Sequence, residues 1–479
     1  MAPQDRPPTS VVESRTIDVV PDSERHGTPF NQFTLWFGAN MQITAVVDGA
    51  LAVVFGADPL WAVIGLLLGN LLGGVFMALH SAQGPRLGLP QMISSRAQFG
   101  VLGAIVPIVL VIVMYLGFAA TGTVLAGQAV NEIVHTDSRP VGIIVFGLLT
   151  AVVAVLGYRY IHRLGRVATV LGVVGFTYLM IRVVTTHDVG GLFGAKSFDG
   201  VTFLLAISLG AGWQLTFGPY VADYSRYLPR TTSPRTTFHC TLWGSVIGSQ
   251  WAMTFGVLLA ALPSKPGEGF LDNQVGFMGD LGGNAAIALL VYLVIIVGKL
   301  TINTLNAYGG FMSILTTVSA LSGERKVSQL VRTLYITGFL ALSMLVALLA
   351  SADFLTNFKN FVLTLLMVFT PWSAINLVDY YLVSKERIDI PALYDPKGRY
   401  GRWNPIALAC YVIGVVAQIP FLSQTLYTGP VTKMLDGADI SWIIGLALTA
   451  ALYYPLARRH SRAPAESIEF DSPQPTPAS

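Results

Sequence analysis

Residues 38–42 read Gly-Ala-Asn-Met-Gln and residues 210–214 read Gly-Ala-Gly-Trp-Gln, so the two stretches share the pattern Gly-Ala-x-x-Gln. Each stretch lies inside a long apolar segment, the first at about 32–55 and the second at about 200–222. These segments are the first and the sixth of the predicted membrane spans, and an odd offset makes the two copies cross the membrane in opposite directions. The match therefore predicts an inverted repeat of five helices plus five, an architecture typical of secondary transporters.

The composition of the chain is that of a membrane protein. Of its 479 residues, 53% are hydrophobic and 11% are charged, whereas charged residues make up about 25% of an ordinary globular chain. The charges cluster between apolar runs of about 20 residues, the length of helix that crosses a hydrocarbon core of about 30 Å. We therefore predict an all-α polytopic membrane protein with about twelve transmembrane helices. The predicted spans are 32–55, 59–80, 101–131, 140–157, 164–184, 200–222, 237–262, 284–308, 331–351, 355–383, 404–423 and 440–457.

Lys and Arg residues are unevenly divided between the predicted loops. With the N-terminus placed in the cytosol, the cytosolic segments hold 22 of the 29 Lys and Arg residues, the outer segments hold 6, and Lys299 lies within a span. Positive charge is concentrated on the cytosolic side of membrane proteins. We therefore expect a multi-pass protein of the plasma (inner) membrane with both termini in the cytosol.

Both copies of the shared pattern combine small residues with a side-chain amide, Gln42 or Gln214. Small residues allow a helix to unwind, and unwound backbone within a bilayer is tolerated only where it lines a cavity. Gly-Pro at 218–219 adds a second breaker to the sixth span. We therefore predict that both spans are discontinuous and form the central site, with Gly212 beside the bound solute. The alternative is that Gly and Ala allow helices to pack closely.

Two ionisable residues lie within predicted spans, away from their ends. Lys299 is about nine residues, or roughly 14 Å of helix, from the cytosolic end of the span 284–308. A lysine at that depth needs an internal partner or a water-filled cavity, so a role in ion binding or coupling is expected. The alternative is a structural lysine that donates to backbone carbonyls. Asp48 lies nearer the outer end of the first span and could pair with Lys299 or take up a proton.

Amide and aromatic side chains are candidates for contact with a solute. Asn303 and Asn306 lie one helical turn apart, so their amides face nearly the same way. Amides both donate and accept hydrogen bonds, which suits a planar solute with ring nitrogens and carbonyl groups. Trp213 adjoins the predicted break and Phe118 lies midway along the third span, and a flat solute is well held between two ring faces. The alternatives are hydrogen bonding between helices for the amides and packing for the rings.

The sequence has none of the common signatures of an enzyme or of a nucleic-acid-binding protein. The two cysteines, Cys240 and Cys410, lie in apolar segments, and neither a His-Glu-x-x-His motif nor a phosphate-binding glycine loop occurs. No stripe of Lys and Arg lies outside the loops. We therefore expect no catalytic site, no organic cofactor and no nucleic-acid partner.

Five motifs resemble those of the nucleobase–cation symporters, the family that includes permeases for cytosine, purines, hydantoin, allantoin and thiamine. They are Gly-Pro-Arg-Leu-Gly-Leu-Pro at 84–90, Arg-Ala-Gln-Phe-Gly at 96–100, Asp-Tyr-Ser-Arg-Tyr at 223–227, Thr-Ile-Asn-Thr-Leu-Asn-Ala-Tyr at 301–308, and Pro-Trp-Ser-Ala-Ile-Asn-Leu-Val-Asp-Tyr at 371–380. The resemblance covers about residues 22–454. It implies the five-plus-five, LeuT-like fold followed by two C-terminal helices.

The resemblance also implies where a base would bind. Members of the family hold it between the first, third, sixth and eighth helices and stack it between one aromatic residue of the third helix and one of the sixth. In this chain those positions fall on Phe118 and Trp213. The implied polar contacts are Gln214, Asn303, Gln42 and Asn306. Gly122 stands where some members have a glutamine, which removes one hydrogen bond to the base.

Sodium-coupled members of the family bind the ion with backbone carbonyls of the first helix and with carbonyl and hydroxyl groups of the eighth. The corresponding residues here are Gly38, Met41, Gly298 and Thr301. This sequence departs from the pattern, because Ile302 stands where a second hydroxyl is usual and Lys299 lies beside the site. An ammonium there would repel Na⁺ or stand in for it. Coupling to Na⁺ and coupling to H⁺ both remain open at this point.

We therefore predict symport of a purine or pyrimidine base into the cell, coupled to Na⁺ or H⁺. The nearest alternative keeps the fold and changes the solute to a thiamine precursor, allantoin, an amino acid or a polyamine. A polyamine calls for central carboxylates, and only Asp48 is available. A channel or a sensor is disfavoured, because the sequence shows no appended cytosolic domain for signalling.

The predicted spans divide the chain into a transporter domain and two tails. The C-terminal tail is rich in Pro, Ser, Ala and acidic residues, a composition typical of disorder. The expected divisions are a cytosolic N-terminal tail at 1–31, a transporter domain at 32–457 and a disordered cytosolic C-terminal tail at 458–479. Within the transporter domain they are repeat one at about 32–184, repeat two at about 200–383 and the extra helices at about 404–457.

Overall fold

A computed structural model of the chain describes residues 17–156, 158–194, 197–264, 269–323 and 328–470. The α-helices of these residues are α1 (Phe30–Asn40), α2 (Ile43–Val54), α3 (Pro59–Ser81), α4 (Gly84–Leu87), α5 (Gln91–Ser94), α6 (Arg96–Phe99), α7 (Ile105–Val134), α8 (Arg139–Leu156), α9 (Tyr158–Thr186), α10 (Val189–Leu192), α11 (Gly200–Leu215), α12 (Gly218–Ser225), α13 (Pro234–Ala261), α14 (Gln274–Asp280), α15 (Ala285–Ser322), α16 (Gln329–Ala350), α17 (Phe354–Leu377), α18 (Pro405–Val416), α19 (Pro430–Met434) and α20 (Ser441–Arg459). Four 3-10 helices lie at Asp22–Glu24, Ser351–Asp353, Pro391–Tyr394 and Ile419–Phe421, and a π-helix lies at Val378–Val383. A two-stranded antiparallel hairpin consists of β1 (Ser423–Gln424) and β2 (Tyr427–Thr428).

Seven helical segments of the described residues are long and apolar enough to cross a membrane, or eight if the bent pair α1 and α2 counts as one span. One of the seven, Gln329–Val383, has 55 residues, which at about 1.5 Å per residue exceeds twice the thickness of a hydrocarbon core. Two further apolar helical segments are shorter, Arg139–Val155 and Pro405–Phe421. Every predicted span overlaps a helix, so the predicted all-α, multi-pass class is confirmed. The number twelve stays a prediction.

The eighth predicted span is much longer than expected. We predicted its end at 308, before two consecutive glycines, but α15 continues to Ser322. The glycines do not end the helix, because they make room for rings of neighbouring helices. A Cβ on Gly309 would collide with the ring of Tyr115, and a Cβ on Gly310 would lie 2.7 Å from the ring of Phe339. Lys299 is the 15th of the 38 residues of α15, so it lies closer to the start of that helix than to its end.

The first span is broken, as predicted. Helix α1 ends at Asn40 and α2 begins at Ile43, and the two halves meet at an angle of 61°. Between them Gln42 is extended, with φ −145° and ψ 157°. Residues 38–42 therefore combine the end of one half-helix with unwound backbone in the middle of a membrane span.

The sixth span is interrupted at a different place from the one predicted. Helix α11 continues through 210–214 to Leu215, and the interruption lies at 216–217, directly before Gly-Pro. The small residues of the stretch serve close packing on α3, since a Cβ on Gly210 would lie 2.7 Å from the Leu66 carbonyl oxygen. The packing alternative therefore accounts for this copy of the pattern, and the predicted unwinding at 210–214 is wrong.

Helix packing divides much of the structure into two groups. In the first, the α13 group, α1 and α2 pack on α13, and α3 packs on α11 and α13. In the second, the α7 group, α7 packs on α8, α15 and α16, and α15 also packs on α9. Contacts between the groups, such as those of α2 with α7 and of α1 with α9, are much sparser. We call the boundary between the two groups the seam.

Both described chain ends pack against the same end of the helix bundle. Ile17 is fully buried, and its carbonyl accepts a hydrogen bond of 2.6 Å from the Tyr394 hydroxyl. The Ile468 N–H donates to the Ile388 carbonyl at 3.0 Å, and Glu469 pairs with Arg230 at 2.5 Å. The part of the C-terminal tail up to Phe470, which we predicted to be disordered, thus makes contacts with the rest of the chain. The rest of that tail lies outside the described residues.

The close approach of α13 to α2 can be tested by adding a methyl group at a glycine in the contact. A Cβ on Gly256 of α13 would collide with the Val46 carbonyl of α2, whereas a Cβ on Gly338 of α16 would have no atom within 4 Å. Overpacking a close contact costs about 1–3 kcal/mol. We expect Gly256→Ala to lower the melting temperature of the purified protein by several degrees and Gly338→Ala to leave it unchanged. Equal melting temperatures for the two variants would contradict the close approach of α13 to α2.

Candidate functional site

A buried ammonium lies at the break in the first span. Lys299, on α15, is 3% exposed. Its Nζ donates to the Gln42 Oε1 at 2.6 Å and also to the Thr44 hydroxyl. Gln42 in turn donates from its Nε2 to the Ala39 carbonyl at 3.1 Å. The lysine therefore bridges the seam, from α15 of the α7 group to the junction of α1 and α2.

Asp48 lies close to this junction but has no hydrogen-bond partner among the described residues. Its side chain is fully buried, and neither carboxylate oxygen accepts a hydrogen bond there. The predicted pairing with Lys299 is absent from the ion pairs of the described residues, because the lysine is directed to Gln42 and Thr44. Thr44 and Asp48 are four residues apart in α2, so they share one face of the helix. A buried ionised carboxylate is costly without a partner, so Asp48 requires a proton or a cation.

The two predicted ring residues are in contact across the seam. The ring centroids of Phe118 (α7) and Trp213 (α11) are 5.9 Å apart, and their planes are at 89°. Trp213 is held by a bond of 2.6 Å from its Nε1 to the Asn40 Oδ1, and Asn40 donates to the Ser245 hydroxyl at 3.0 Å. Phe118 has only ring contacts of this kind, including one with Phe361 at 5.2 Å. The edge-to-face arrangement fills the space between the rings, so a base cannot lie between them until one ring turns.

Two amides of α15 each have an unsatisfied polar atom. Asn303 donates from its Nδ2 to the Ala119 carbonyl at 2.9 Å and to the Thr123 hydroxyl at 3.0 Å, but its buried Oδ1 accepts no hydrogen bond from any described residue. The Nδ2 of Asn306 likewise has no described partner. The Asn303 Oδ1 lies against Gly122, where a Cβ would collide with it. The two amides therefore offer one acceptor and one donor that no described residue satisfies.

The structure places Gln214 away from the ring pair. Its Nε2 donates to the Asn70 Oδ1 and to the Ser249 hydroxyl, both at 3.0 Å, and its Oε1 accepts from the Ser245 hydroxyl at 2.6 Å. Both donors of the amide are therefore used in a buried network between α3, α11 and α13. Gly212 faces α17, where a Cβ would lie 3.1 Å from Val362. Contrary to our expectation, neither residue is directed at the ring pair.

Oxygen atoms of two of the four residues expected to bind sodium take part in hydrogen bonds of the first span or of α15. The Gly38 carbonyl accepts the Met41 N–H at 3.2 Å, and the Thr301 hydroxyl donates to the Val297 carbonyl at 3.0 Å. A Cβ added to Gly298 would have no neighbouring atom within 4 Å. Only the Met41 carbonyl, in the unwound segment, has no donor among the described residues. The group that α15 sends to the break is the ammonium of Lys299.

Several residues of the site were not predicted. Asn40 and Thr44 flank Gln42 in the sequence, and Asn40 lies inside the first copy of the repeated pattern. Polar residues in an apolar span were the available signal for both. Asn70, Ser245 and Ser249 also lie in apolar spans, but no spacing in the sequence relates them to Gln214. Their convergence depends on how α3, α11 and α13 pack.

A sequence profile described as permease for cytosine/purines, uracil, thiamine, allantoin matches residues 19–445. The match includes the broken first span, the ring pair and the Lys299 contact. The chain belongs to this family of permeases. It is accordingly a membrane transporter of the nucleobase transporter family and not an enzyme, as predicted.

Known proteins and solved structures resemble the permease along nearly its whole length. YxlA of Bacillus subtilis (strain 168), whose name assigns it to the purine-cytosine permeases, is 39% identical over 448 residues, which are 93% of this chain and 96% of that protein. Inward-facing Mhp1 superposes with a TM-score of 0.75 at 19% identity, covering 95% of each chain. Closed Mhp1 with bromovinylhydantoin bound, described as a nucleobase-cation-symport-1 family transporter, gives 0.70 at 20% identity over 94% of this chain and 96% of the other. These likenesses confirm the predicted LeuT-like fold class.

The unpartnered state of Asp48 has a consequence for stability. Replacing a buried carboxylate that lacks a partner by a neutral isostere removes a cost, whereas breaking a satisfied buried network leaves unpaired groups that cost about 1–3 kcal/mol. We expect Asp48→Asn to keep or raise the melting temperature of the permease. Gln214→Leu, the matched control in a satisfied network, is expected to lower it by several degrees. A fall with Asp48→Asn as large as with Gln214→Leu would contradict an unpartnered Asp48.

Proposed function

We propose that this permease carries a purine or pyrimidine base into the cell by alternating access, in symport with a cation. We place it in the plasma membrane with both termini in the cytosol, on the strength of the unequal distribution of Lys and Arg. The name of YxlA supports a base as the solute. The family description also includes thiamine and allantoin, which remain the alternative solutes.

The observation that carries the proposal is the unsatisfied acceptor of Asn303, whose amide donates to the Ala119 carbonyl next to Phe118, together with the unsatisfied donor of Asn306 one turn further along α15. The free Oδ1 of Asn303 accepts hydrogen bonds and the free Nδ2 of Asn306 donates them. The edge of a nucleobase presents N–H and C=O groups side by side, so it complements both. Bromovinylhydantoin, the compound bound in closed Mhp1, has a ring edge of the same chemistry. A polyamine would instead require carboxylates at this position.

Binding requires the ring pair to open, and the hydrogen bonds indicate which ring turns. The indole of Trp213 is fixed by Asn40, which is itself held by Ser245. The Phe118 side chain is half-buried and makes no hydrogen bond. We infer that Phe118 turns to lie parallel to Trp213 and that the base stacks between them. The base would then occupy the seam, with its edge toward α15.

Stacking on Trp213 can be measured directly. Loss of one base–aromatic stack costs about 1–3 kcal/mol, or roughly a tenfold or greater increase in the dissociation constant. We expect Trp213→Ala to weaken binding of adenine, hypoxanthine, cytosine or uracil, whichever the wild type binds, at least that much in calorimetric titrations. Trp243→Ala is the control, because Trp243 is 46% exposed on α13 and should not alter binding. Unchanged affinity in Trp213→Ala would refute the stacking role.

The position of the Asn303 amide depends on the missing side chain at Gly122. A methyl group there would collide with the Asn303 Oδ1 and push the amide away from its present position. We expect Gly122→Ala to weaken base binding by about tenfold, an effect of the size of one or two hydrogen bonds. Gly175→Ala is the control, since a Cβ there would have no neighbour within 4 Å. If both variants bind the base as the wild type does, Asn303 does not contact it.

A further inference from the structure

The break in the first span is occupied by an ammonium group of the chain itself. Lys299 donates to Gln42, which lies between the two half-helices, and to Thr44, in the first turn of α2. An ammonium has three N–H groups and no acceptor, so it binds oxygen atoms much as a metal cation does. Its position in the structure is therefore a cation position, supplied by a residue of the chain.

The electrostatics of the break favour one cation there. The C-terminal end of α1 has a partial negative charge, because its last carbonyls have no intrahelical partner. The Met41 carbonyl has no donor among the described residues and adds to that potential. The one acidic residue on the same face of α2 as Thr44 is Asp48, one turn further along. A positive charge is stabilised here, and a second one beside the ammonium would be repelled.

While Lys299 occupies the break, its ammonium takes the oxygens that sodium would need there. Thr301 has one hydroxyl oxygen, and the adjacent Ile302 has no oxygen in its side chain. Sodium requires several converging oxygens, and the oxygens that do converge at the break, those of Gln42 and Thr44, bind Lys299.

We propose that the ammonium of Lys299 is the resident cation at the break of the first span and replaces sodium there. Base binding by this permease is then independent of sodium. The effect on base binding rests on the proposed function, which supplies the base as the substrate. The position of the cation does not depend on the proposed function. The ammonium links α15 to the α1–α2 junction, so it ties the same two helix groups that the base contacts.

The first test compares base binding in sodium chloride and in choline chloride at equal ionic strength. Wild-type permease is expected to bind its base with dissociation constants that agree within about twofold in the two salts. Lys299→Ala vacates the cation position. It is expected to bind the base at least about tenfold more weakly in choline chloride and to recover part of that affinity in sodium chloride. Lys433→Ala, which removes an exposed lysine, is the control and should behave as the wild type does.

A second measurement does not depend on the identity of the base. A ligand that binds the folded state raises the melting temperature. Sodium chloride should therefore stabilise ligand-free Lys299→Ala relative to choline chloride, and it should not stabilise the wild type. Lys299→Gln, which is neutral but keeps a hydrogen-bonding side chain, serves as a second variant if Lys299→Ala does not fold.

The outcomes separate the two proposals. If sodium tightens base binding by the wild type several-fold, or stabilises the ligand-free wild type, the resident-cation proposal is wrong and the proposed function stands. If Lys299→Ala binds the base normally in choline chloride, no cation is needed at the break and the proposal is again wrong. If no base binds to the wild type but sodium stabilises only the Lys299 variants, the substrate assignment fails and the resident cation stands.

Discussion

The polar backbone of the first span must be satisfied in the middle of a membrane, and this constraint shapes the site. A bilayer core provides no water for the groups exposed between α1 and α2. The Gln42 side chain takes over part of that role by donating to the Ala39 carbonyl, and Lys299 in turn donates to the side chains of Gln42 and Thr44. A close contact of α2 with α13 lies on the other half of the span. The exposed polar groups at the break, the position of the Lys299 ammonium and the angle between α1 and α2 are therefore all related to one interruption in a helix.

Much of the fold follows from hydrophobicity and length, because a bilayer selects for apolar segments that span it. The break in the first span was also predictable, because small residues beside a side-chain amide are unusual within an apolar span. The sixth span and the end of α15 were not. Gly210 and Gly309 allow close helix packing rather than unwinding, and a glycine has the same appearance in the sequence in either role.

The site was predicted in part. Phe118 contacts Trp213, the Asn303 amide donates to the Ala119 carbonyl next to Phe118, and Lys299 reaches the first span, while their roles in binding stay predictions. Gln214 was misplaced, because the side of α11 on which an amide lies decides its partners, and that is settled only when α3 and α13 pack against it. The role of Asn40 in fixing the Trp213 indole depends on a contact between residues 173 positions apart. Such long-range pairs have no signature in a single sequence.

The seam has a consequence for how a small molecule can move large helices. Trp213 and Gln42 belong to one packing group, and Phe118 and Lys299 belong to the other. The ammonium of Lys299, and a solute at the site we propose, would bridge the two groups without deforming any helix. Forming or losing these contacts changes the free-energy difference between two relative orientations of the two helix groups, each of which moves as a rigid unit. A molecule the size of a single side chain can thus shift this conformational equilibrium because it binds at the seam, and not because it makes many contacts.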